Sequence, residues 1–343
     1  MTFPLVTIQI ATFNSSKYLP ECLKSIFNQT YRDFQVLVID NNSQDDTVDY
    51  LKKNYPEVTV FQNKKNLGFA RANNQGIRLL NSPYVVFCNP DIILEPDWLE
   101  MIVAKAEDSS LENIGSFGGK LYKLKMTGDD FNELERSNII DSCGLSIAKN
   151  HQIVELGAGG KDDGFDEEKE TFGHSAALVM YKRQALEDIR TRLKNIDEYF
   201  DEDFFFYKED VDLAWRMQLA GWKSLFLPIA KAYHMRAMAS EASRGLKQLV
   251  KNRKKQSKIA KRYSYRNHFF VLVKNQFGAN LMKYLPQIFW YELEKALYVL
   301  FFEWSSLPAI WQVIRLLPKM SKKRKYILIR ARVDSEYVRN LIQ

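Results

Sequence analysis

Short runs rich in β-branched residues alternate along the first part of the chain with stretches whose apolar residues recur at helical spacing. The runs are LVTIQI at 5–10, QVLVID at 35–40, VTVF at 58–61 and YVVFC at 84–88. Runs of this length and composition are typical of buried strands. They predict neighbouring strands of a single sheet.

The stretches between these runs predict helices. In the first stretch the apolar residues fall on one helical face, namely Leu19, Cys22, Leu23, Ile26 and Phe27. Ser15 and Ser16 precede it as expected N-caps, and further helices are expected over 47–54 and 69–80. Because strand–helix–strand units form right-handed crossovers, the sequence predicts an α/β fold with a Rossmann-like, mostly parallel sheet and helices on both faces.

The pattern becomes less regular further along the chain. Residues 105–172 look irregular and include a Gly-rich acidic stretch at 157–170 that predicts a mobile loop. A strand over 174–183, a helix over 204–222 preceded by aromatic residues, and a last strand over 225–234 follow. These elements predict that one domain continues to about residue 240.

Three polar clusters follow predicted strands of the sheet. They are Thr12-Phe13-Asn14, Asp40-Asn41-Asn42-Ser43 and Asn89-Pro90-Asp91. Because open α/β sheets bind ligands at the carboxyl ends of their strands, we expect a ligand site there. No GxGxxG follows the first strand and no P-loop motif occurs, so a dinucleotide or P-loop site is not indicated.

Charge divides the chain into two regions. Residues 243–343 carry 22 Lys and Arg against 5 Asp and Glu, whereas the remainder carries 27 against 37. We therefore expect a catalytic domain over 1–240 and a basic, aromatic-rich helical region over 241–343 that seeks a polyanion.

The C-terminal region suits an anionic membrane surface. A basic run at 244–261 precedes aromatic-rich stretches at 284–304 and 307–320, which charged residues and prolines interrupt too often for a membrane-spanning helix. Amphipathic helices with aromatic residues and nearby lysines dock on membrane interfaces. The alternative is that these helices pack on the first domain with a solvated basic face, and both can hold at once. No nucleic-acid-binding motif is present, so we expect no nucleic-acid partner.

Cysteine use and the N-terminus indicate the compartment. Cys22, Cys88 and Cys143 are widely spaced without a CxxC pair, which argues against a disulfide framework or zinc site. The N-terminus lacks the features of a signal peptide. We expect a cytoplasmic protein, peripheral on the inner face of the cell membrane.

Several motifs occur in an order that resembles family 2 glycosyltransferases, and most closely the bacterial rhamnosyltransferase-type members. They are VTIQIATFN, VIDNNSQDDT, KNLGFARANNQGI, CNPD and FFFYKEDVDLAWRMQLAGW, within residues 4–236. The resemblance implies a GT-A fold and an inverting hexosyltransferase that uses a nucleotide-sugar donor and a divalent metal ion.

The resemblance implies a metal site at Asp91. The family's acidic motif is commonly Asp-x-Asp, and here only its second carboxylate is present, in Asn89-Pro90-Asp91. Asp91 is expected to hold Mg²⁺ or Mn²⁺ on the donor diphosphate, with Asn89 either near the ribose or holding the loop. His234 is expected either to complete the metal shell or to be structural. The alternative for Asn89-Pro90-Asp91 is a plain turn.

The resemblance also implies a catalytic base. An inverting transfer needs a carboxylate to take the proton of the acceptor hydroxyl, and the Glu209-Asp210 pair assigns that role to Asp210. Asp212 is expected to hold the acceptor or to pair with Arg216 four residues on. Without the resemblance, these acidic residues are typical of an ordinary helix N-terminus, where the helix dipole favours negative charge.

Donor-binding residues are expected in the first half of the domain. By resemblance these are Ala11, Thr12, Phe13, Asn14, Asp40, Asn41, Asn66, Gly68, Arg71 and Asn89. Many relatives carry an aspartate for uracil where this chain has Asn41, which is compatible with a thymidine diphosphate. Arg71 is either a donor contact or a surface residue.

The expected reaction moves rhamnose from dTDP-rhamnose to a lipid-linked glycan of the cell envelope. A UDP-hexose or UDP-N-acetylhexosamine donor is the alternative. A nucleic-acid-binding protein is the remote alternative.

Overall fold

The computed structural model of the protein describes residues 3–126, 134–236 and 257–343. Its strands are β1 (Val6–Thr12), β2 (Phe34–Asp40), β3 (Thr59–Gln62), β4 (Tyr84–Cys88), β5 (Ile92–Leu94), β6 (Ile114–Met126), β7 (Leu134–Ser142), β8 (Leu145–Ile147), β9 (Ile153–Glu155), β10 (Lys169–Thr171), β11 (Leu178–Lys182), β12 (Thr191–Leu193), β13 (Ile196–Glu198) and β14 (Lys223–His234).

Helices cover the sheet and make up the C-terminal region. They are α1 (Leu19–Phe27), α2 (Thr47–Asn54), α3 (Phe69–Leu79), α4 (Trp98–Ala106), α5 (Arg183–Ile189), α6 (Glu209–Leu219), α7 (Lys258–Asn275), α8 (Gly278–Lys283), α9 (Leu285–Phe302), α10 (Leu307–Ile329) and α11 (Ser335–Asn340).

One mixed sheet runs through the molecule in the order β10-β14-β6-β11-β4-β1-β2-β3, with β5 paired to β14 and β7 to β6. Strands β1 to β4 are mutually parallel, as predicted, and β6 and β14 form a second parallel pair. Strand β11 joins these two halves by pairing antiparallel to β4 and β6. The sheet therefore places the carboxyl ends of β1, β2 and β4 at one edge.

Alternate residues of β4 explain why helices cover both faces. Val86 and Cys88 point into a core that α1 and α4 cover, whereas Val85 and Phe87 point into a core that α3, α5 and α6 cover. A strand that is apolar at every position fits only where both faces are buried. The predicted two-sided α/β architecture is confirmed.

Two sequence expectations differ from the structure at helix starts. Helix α1 begins at Leu19, and Tyr18 occupies its N-cap without a side-chain cap. Ser15 contributes its carbonyl oxygen to the amides of Tyr18 and Leu19, so it forms the preceding turn. The aromatic stretch from 204 lies outside any helix, because α6 begins only at Glu209.

Residues 105–172 are more regular than expected. They contain β6, β7, β8, β9 and β10, and β6 is the longest strand described. Polar residues at buried positions obscure the alternation of apolar and polar residues that would have marked these strands in the sequence. Lys120 of β6, for example, is buried and forms an ion pair with Asp162 at 2.8 Å. The predicted loop at 157–170 is anchored in part by this pair.

The C-terminal region is helical, as expected, and packs on the rest of the chain. Apolar residues of α7, α9, α10 and α11 share one hydrophobic cluster with residues 145–219. The expected boundary at 240/241 and most of the basic run at 244–261 lie outside the described residues. The packing alternative is thus observed for residues 257–343.

A buried ionic cluster joins the two regions. Lys274 Nζ lies 2.6 Å from Asp201 Oδ2 and 2.6 Å from Asp212 Oδ1. Lys323 Nζ lies 2.8 Å from Asp203 Oδ2 and 2.5 Å from Glu198 Oε1. Both lysines are at most 1% exposed. Removing one partner from such a group leaves an uncompensated buried charge, so the cluster ties α7 and α10 firmly to residues 198–212.

Helices α9 and α10 expose large aromatic side chains. The exposed aromatic residues, between 57% and 78% accessible, are Phe289, Trp290, Phe301 and Phe302 in α9, Trp304 in the short 3₁₀ turn between the helices, and Trp311 in α10. Within the described residues no single helix is long and apolar enough to cross a bilayer. Taken together, Leu285–Phe302 and Trp304–Ile329 satisfy the criterion of length and composition, but the chain bends by 112° between them.

Candidate active site

The ends of β1 and β2 form a hydrogen-bonded turn. Thr12 Oγ1 donates a hydrogen bond to Asp40 Oδ1 at 3.0 Å, and the amide of Ser43 donates to Asp40 Oδ2 at 3.0 Å. Asp40 is completely buried and Thr12 is 1% exposed. These two expected donor-binding residues stabilise the turn that follows β2 from its buried side, and they are not accessible to a ligand in this structure.

The residues beside them are accessible. Phe13 is 48% exposed, and Ala11 is half-buried at the end of β1. Asn14 has a left-handed backbone (φ 51°), which asparagine tolerates, and its Oδ1 accepts from the amide of Gln44 at 2.8 Å. Ala11, Phe13 and Asn14 therefore form the open rim of this edge.

Asn41 is buried and supports the segment that follows β3. Its Oδ1 accepts hydrogen bonds from Asn63 Nδ2 at 3.1 Å and the Leu67 amide at 3.3 Å. Its Nδ2 donates to the Gly68 carbonyl at 3.3 Å, and Asn66 Oδ1 accepts from the Gly68 amide at 2.8 Å. Asn41 thus acts here as a brace for the 66–68 turn, whereas Asn66 is exposed.

Gly68 is required by both conformation and space. Its φ is +83°, and a Cβ there would lie 2.5 Å from the Phe205 ring. The Phe205 carbonyl accepts from the Ala70 amide at 3.2 Å, and Arg71 Nε pairs with Glu202 Oε2 at 2.7 Å. Arg71 is thus an exposed residue with an acidic partner, and the segment touches residues 202–205 from far along the chain.

The Asn89-Pro90-Asp91 motif forms a turn that carries Asp91. The Asn89 amide donates to the Ala177 carbonyl at 2.8 Å, and the Ile92 amide closes the turn on the Asn89 carbonyl at 3.3 Å. The Asp91 carbonyl accepts from the Met235 amide at 3.0 Å. Asp91 is only 6% exposed, so the motif is a turn that also fixes a buried carboxylate.

His234 lies between two carboxylates. Its Nε2 is 3.4 Å from Asp91 Oδ2, and its Nδ1 is 2.9 Å from Asp141 Oδ2. Arg236 Nε donates to the other oxygen of Asp141. Burial disfavours the imidazolium, yet the charge of Asp91 and the contacts with Asp141 outweigh it and raise the pKa of His234 to about 9.

The arrangement of Asp91 and His234 fits a divalent cation. Residues 3–126, 134–236 and 257–343 contain no group of three or more His, Cys, Asp or Glu side chains that could hold a metal ion. However, adjacent ligands of an octahedral ion lie roughly 3 Å apart, and the 3.4 Å between Asp91 Oδ2 and His234 Nε2 is close to that. A carboxylate on the second nitrogen, here Asp141, is usual for a metal-bound histidine.

Asp210 opens α6 with its carboxylate directed at the segment 175–177. Its Oδ2 accepts from the Ala176 amide at 3.3 Å and Ser175 Oγ at 3.4 Å, and its Oδ1 accepts from the Val211 amide at 2.8 Å. Burial raises the pKa of Asp210, while the residue as a whole remains partly accessible. Its two carboxylate oxygens are thus fixed by three hydrogen bonds.

The Asp91 turn and Asp210 therefore meet at one segment. Ala177 accepts from the Asn89 amide, and the adjacent Ala176 donates to Asp210. Residues more than a hundred positions apart in the sequence thus converge beyond the end of β4.

The other two acidic residues of α6 differ from Asp210. Glu209 is 7% exposed, its Oε2 has no hydrogen-bond partner among the described residues, and burial raises its pKa well above the usual range. Asp212 is fully buried, 2.9 Å from Arg216 Nε and 2.6 Å from Lys274 Nζ. Of the two expectations for Asp212, the pair with Arg216 is observed, and the side chain is not accessible to an acceptor.

Sequence reasoning missed two carboxylates here. Asp141 binds His234, and Glu155 accepts a hydrogen bond from Ser142. Burial raises the pKa of Glu155 to about 7, against the opposing charge of Arg236 and with further contributions from Asp141 and Asp210. Glu155 is therefore close enough to both halves of the site to sense their charges.

A pattern in the sequence points to Asp141. The run NIID at 138–141 ends an apolar stretch on an aspartate, as VLVID at 36–40 and VFCNPD at 86–91 do. No comparable pattern marks Glu155, whose place depends on the short β8–β9 pair.

A sequence model of the glycosyl transferase family 2 matches residues 7–190, more than half of the chain, and the chain belongs to this family. It is 32% identical over 118 residues to an uncharacterized glycosyltransferase of Haemophilus influenzae (33% of this chain, 36% of the relative). It is 40% identical over 101 residues to a chondroitin synthase of Escherichia coli (29% of this chain, 15% of the relative). The chain thus spans a minor part of these relatives.

A longer match is the N-acetylglucosaminyl-diphospho-decaprenol L-rhamnosyltransferase of Mycobacterium tuberculosis, 25% identical over 253 residues (68% of this chain, 76% of the relative). Solved structures share the fold. GalNAc-T7 with UDP, GalNAc and Mn²⁺ gives a TM-score of 0.58 at 12% identity, covering 81% of this chain and 49% of that one. S. aureus TarS 1–349 with UDP-GlcNAc gives 0.53 at 15% identity, covering 98% and 91%. The expected GT-A fold is confirmed.

Proposed function

We propose that the protein is an inverting, metal-dependent hexosyltransferase that moves a sugar from a nucleotide diphosphate to a hydroxyl group. The observation that carries this proposal is the convergence of the Asp91 turn and Asp210 on residues 175–177. Membership of family 2 supports it, because the family model spans the donor side of the site.

The donor would lie along the edge formed by β1, β2 and β4. Phe13 and Asn14 offer an exposed ring and amide beside it, and Asn66 offers another amide. Gly68 would act by its left-handed backbone, which lets the segment that begins at Asn66 turn beneath Phe205. Asp40, Thr12 and Asn41 would act by holding these turns in place.

Asp91 and His234 would hold Mg²⁺ or Mn²⁺ on the donor diphosphate, with Asp141 fixing the imidazole. The ion would neutralise the charge that develops on the leaving diphosphate. The Mn²⁺ named with the GalNAc-T7 structure supports a divalent ion. Until the ion binds, His234 is the positive partner of Asp91 and Asp141.

Asp210 would take the proton from the acceptor hydroxyl. As that oxygen bonds to the anomeric carbon, the bond to the diphosphate oxygen breaks on the opposite face, so the configuration inverts. Asp210 suits this step because the Ala176 amide and Ser175 hydroxyl orient one of its oxygens. Burial raises its pKa and so strengthens it as a base.

Rhamnose from dTDP-rhamnose is our first choice of donor. The mycobacterial relative is named for rhamnosyl transfer, and Asn41 offers uracil no carboxylate. The runner-up is a UDP-hexose or UDP-N-acetylhexosamine, which the TarS complex with UDP-GlcNAc supports.

The acceptor would be a lipid-linked glycan at the inner face of the cell membrane. The exposed aromatic residues of α9 and α10 support this, because such side chains favour the membrane interface. Arg315, Lys322 and Lys325 of α10 are also exposed and would face anionic headgroups.

A panel of nucleotide sugars tests the reaction. With N-acetylglucosaminyl-diphospho-decaprenol as acceptor, dTDP-rhamnose is expected to give metal-dependent transfer, lost on chelation. Asp91→Ala should abolish turnover and the metal dependence of donor binding, whereas Asp163→Ala, at an exposed carboxylate, should change neither. Stabilisation by nucleic acid alone would contradict the proposal.

Vesicle sedimentation tests the membrane surface. A Phe302→Ser/Trp311→Ser variant is expected to lose binding to vesicles that contain anionic lipid, and Ile229→Ser, at an exposed apolar residue of β14, is expected to keep it. Substitutions are preferable to deletion, because α7 and α10 contribute to the core. Equal binding by both variants would contradict the assignment.

A further inference from the structure

The loop that precedes Asp210 has an unusual backbone. Phe205, Tyr207 and Lys208 have φ values of 66°, 67° and 65°. Residues with a side chain rarely adopt this left-handed region, and a run of them persists only where the surroundings impose it. Some other part of the molecule must therefore hold residues 204–208.

Asn267 of α7 supplies that hold. It is completely buried, and its Nδ2 donates to the carbonyl oxygens of Phe204 at 2.9 Å, Phe206 at 3.0 Å and Tyr207 at 2.7 Å. Carbonyl oxygens that point at one spot repel each other unless a donor lies between them. The two N–H groups of one side-chain amide are thus shared among three carbonyl oxygens of an otherwise unfavourable backbone path.

The orientation of this amide is fixed from its other side. Asn267 Oδ1 accepts from Arg266 Nε at 3.0 Å, so the nitrogen is left to face the loop. Arg266 also donates to the Phe204 carbonyl at 3.3 Å and to Gln312 Oε1 of α10 at 3.0 Å. Gln312 of α10 therefore helps to hold Arg266, which in turn orients the Asn267 amide.

Aromatic contacts complete the same face of α7. Tyr263 stacks on Phe205 with ring centroids 5.2 Å apart, and Phe270 meets Phe204 edge-on at 5.9 Å. Tyr263, Asn267 and Phe270 are spaced by four and three residues, which places them on one side of the helix. This side of α7 therefore contacts residues 204–207 through all three side chains.

The loop in turn contacts both halves of the site. Its Phe205 carbonyl accepts a hydrogen bond from the Ala70 amide, and the Phe205 ring covers Gly68, one of the expected donor-binding residues. Its last residue, Lys208, leads directly into Glu209 and Asp210. A shift of the loop would therefore move the base and the donor cover together.

We propose that Asn267 is a positioning residue for sugar transfer: it holds residues 204–208 in the left-handed path that sets Asp210 against the donor. The inference rests on the function proposed above. Asn267 touches neither substrate nor reacting atoms and acts through the loop.

Asn280 provides a matched control. It is also completely buried, and its Nδ2 donates to the Ser335 carbonyl at 2.8 Å within the C-terminal region, away from the loop. Asn267→Ala and Asn280→Ala thus remove the same group from equally buried sites. Asn267→Asp keeps the size but cannot donate, and Asn267→Ser is a milder change that keeps one donor.

The experiment measures kcat and KM with dTDP-rhamnose and N-acetylglucosaminyl-diphospho-decaprenol, thermal unfolding, and hydrogen exchange of residues 204–211. For Asn267→Ala and Asn267→Asp, kcat is expected to fall about 10–100-fold with a smaller loss for Asn267→Ser, and exchange in 204–211 should rise. Asn280→Ala should lose thermal stability similarly while keeping kcat within about twofold.

Equal loss of kcat in Asn267→Ala and Asn280→Ala, or unchanged exchange in 204–211, would overturn the proposal. Activity retained in Asn267→Asp would do so too, because a volume-filling role needs no donor. Wild-type protein that transfers no sugar would overturn the proposed function instead. The exchange measurement would then still decide whether Asn267 holds the loop.

Discussion

The donor side and the base side of the candidate site are built in different ways. On the donor side, turns at the ends of β1 and β2 hold each other through hydrogen bonds between residues about thirty positions apart, such as Thr12 and Asp40. On the base side, Asp210 follows a loop that depends on a helix some sixty positions further on. The first is a property of the sheet, and the second depends on the C-terminal region.

This difference indicates which part of the chain holds each side of the candidate site. Parallel strands bring their ends together wherever the sheet forms, so donor turns need little outside help. Residues 204–208 form no strand pairing that would fix them. Asn267 of α7 binds this loop directly, and Lys274 of α7 and Lys323 of α10 bind Asp201 and Asp203 just before it. The C-terminal helices therefore help to hold the segment that leads into Asp210.

The largest expected effect separates two acidic residues of α6. Asp210→Asn should lower kcat by about 10²–10⁴-fold, because proton removal is lost, with donor affinity near normal. Asp212→Asn should instead lower thermal stability, because Lys274 and Arg216 lose a buried partner. Kinetics, donor titration and thermal unfolding distinguish them. A parallel fall of donor binding and turnover in Asp210→Asn would make Asp210 a donor-site residue.

The buried ionic cluster offers the next largest effect. Lys323→Met should lower the free energy of unfolding by about 3–5 kcal/mol, because the carboxylates of Asp203 and Glu198 lose their cation. Lys322→Met, at an exposed neighbour, should change it by less than about 0.5 kcal/mol. Urea unfolding measures both. Equal stability of the two variants would show that the regions are not joined through this cluster.

Asp141 tests the metal side of the site. Asp141→Asn weakens the contact that orients His234 and should reduce Mn²⁺ affinity and kcat about 10–100-fold. Calorimetric titration of Mn²⁺ in the presence of donor measures the affinity. Asn138→Ala, at an exposed position of the same strand, is the control for local disturbance. Unaltered Mn²⁺ affinity in Asp141→Asn would leave His234 a structural residue.

Buried histidines predict a smaller, pH-dependent effect. Burial lowers the pKa of His151 and of His174 from 6.5 to about 4. The folded state therefore stays neutral where the unfolded state takes up protons, and this stability, present above pH 6.5, is lost as pH falls toward 4. The free energy of unfolding should drop by about 1–2 kcal/mol per histidine between pH 7 and 5.

The contribution of His151 to the pH dependence of stability is obtained by comparing wild type with a variant that lacks this histidine. Glu155, whose pKa burial raises to about 7, changes stability in the opposite direction. His151→Gln should therefore show a flatter pH dependence than wild type in urea unfolding between pH 7 and 5. Identical slopes would contradict a neutral buried His151.

The sequence alone was sufficient for the parallel half of the fold and for the edge at which the polar turns gather. Strands β1, β2 and β4 are rich in buried β-branched residues, whereas β3 is a mostly exposed edge strand, and the polar ends of β1, β2 and β4 lie where the predicted sheet requires. The spacing of apolar residues likewise indicated α3 within one residue of its observed end. Local pattern suffices here because burial on both faces of a parallel sheet leaves little choice of side chain.

Only the tertiary structure decided the rest of the site. Asp141 and Glu155 come from strands with mixed polarity, and Asn267 from a helix whose sequence carries no sign of the loop it binds. Asp40 and Asp212 look like accessible carboxylates in the sequence but are completely buried. Their partners are remote in sequence or depend on the folded turn, and hydrogen bonds and ion pairs of this kind exist only once the chain has brought both groups together.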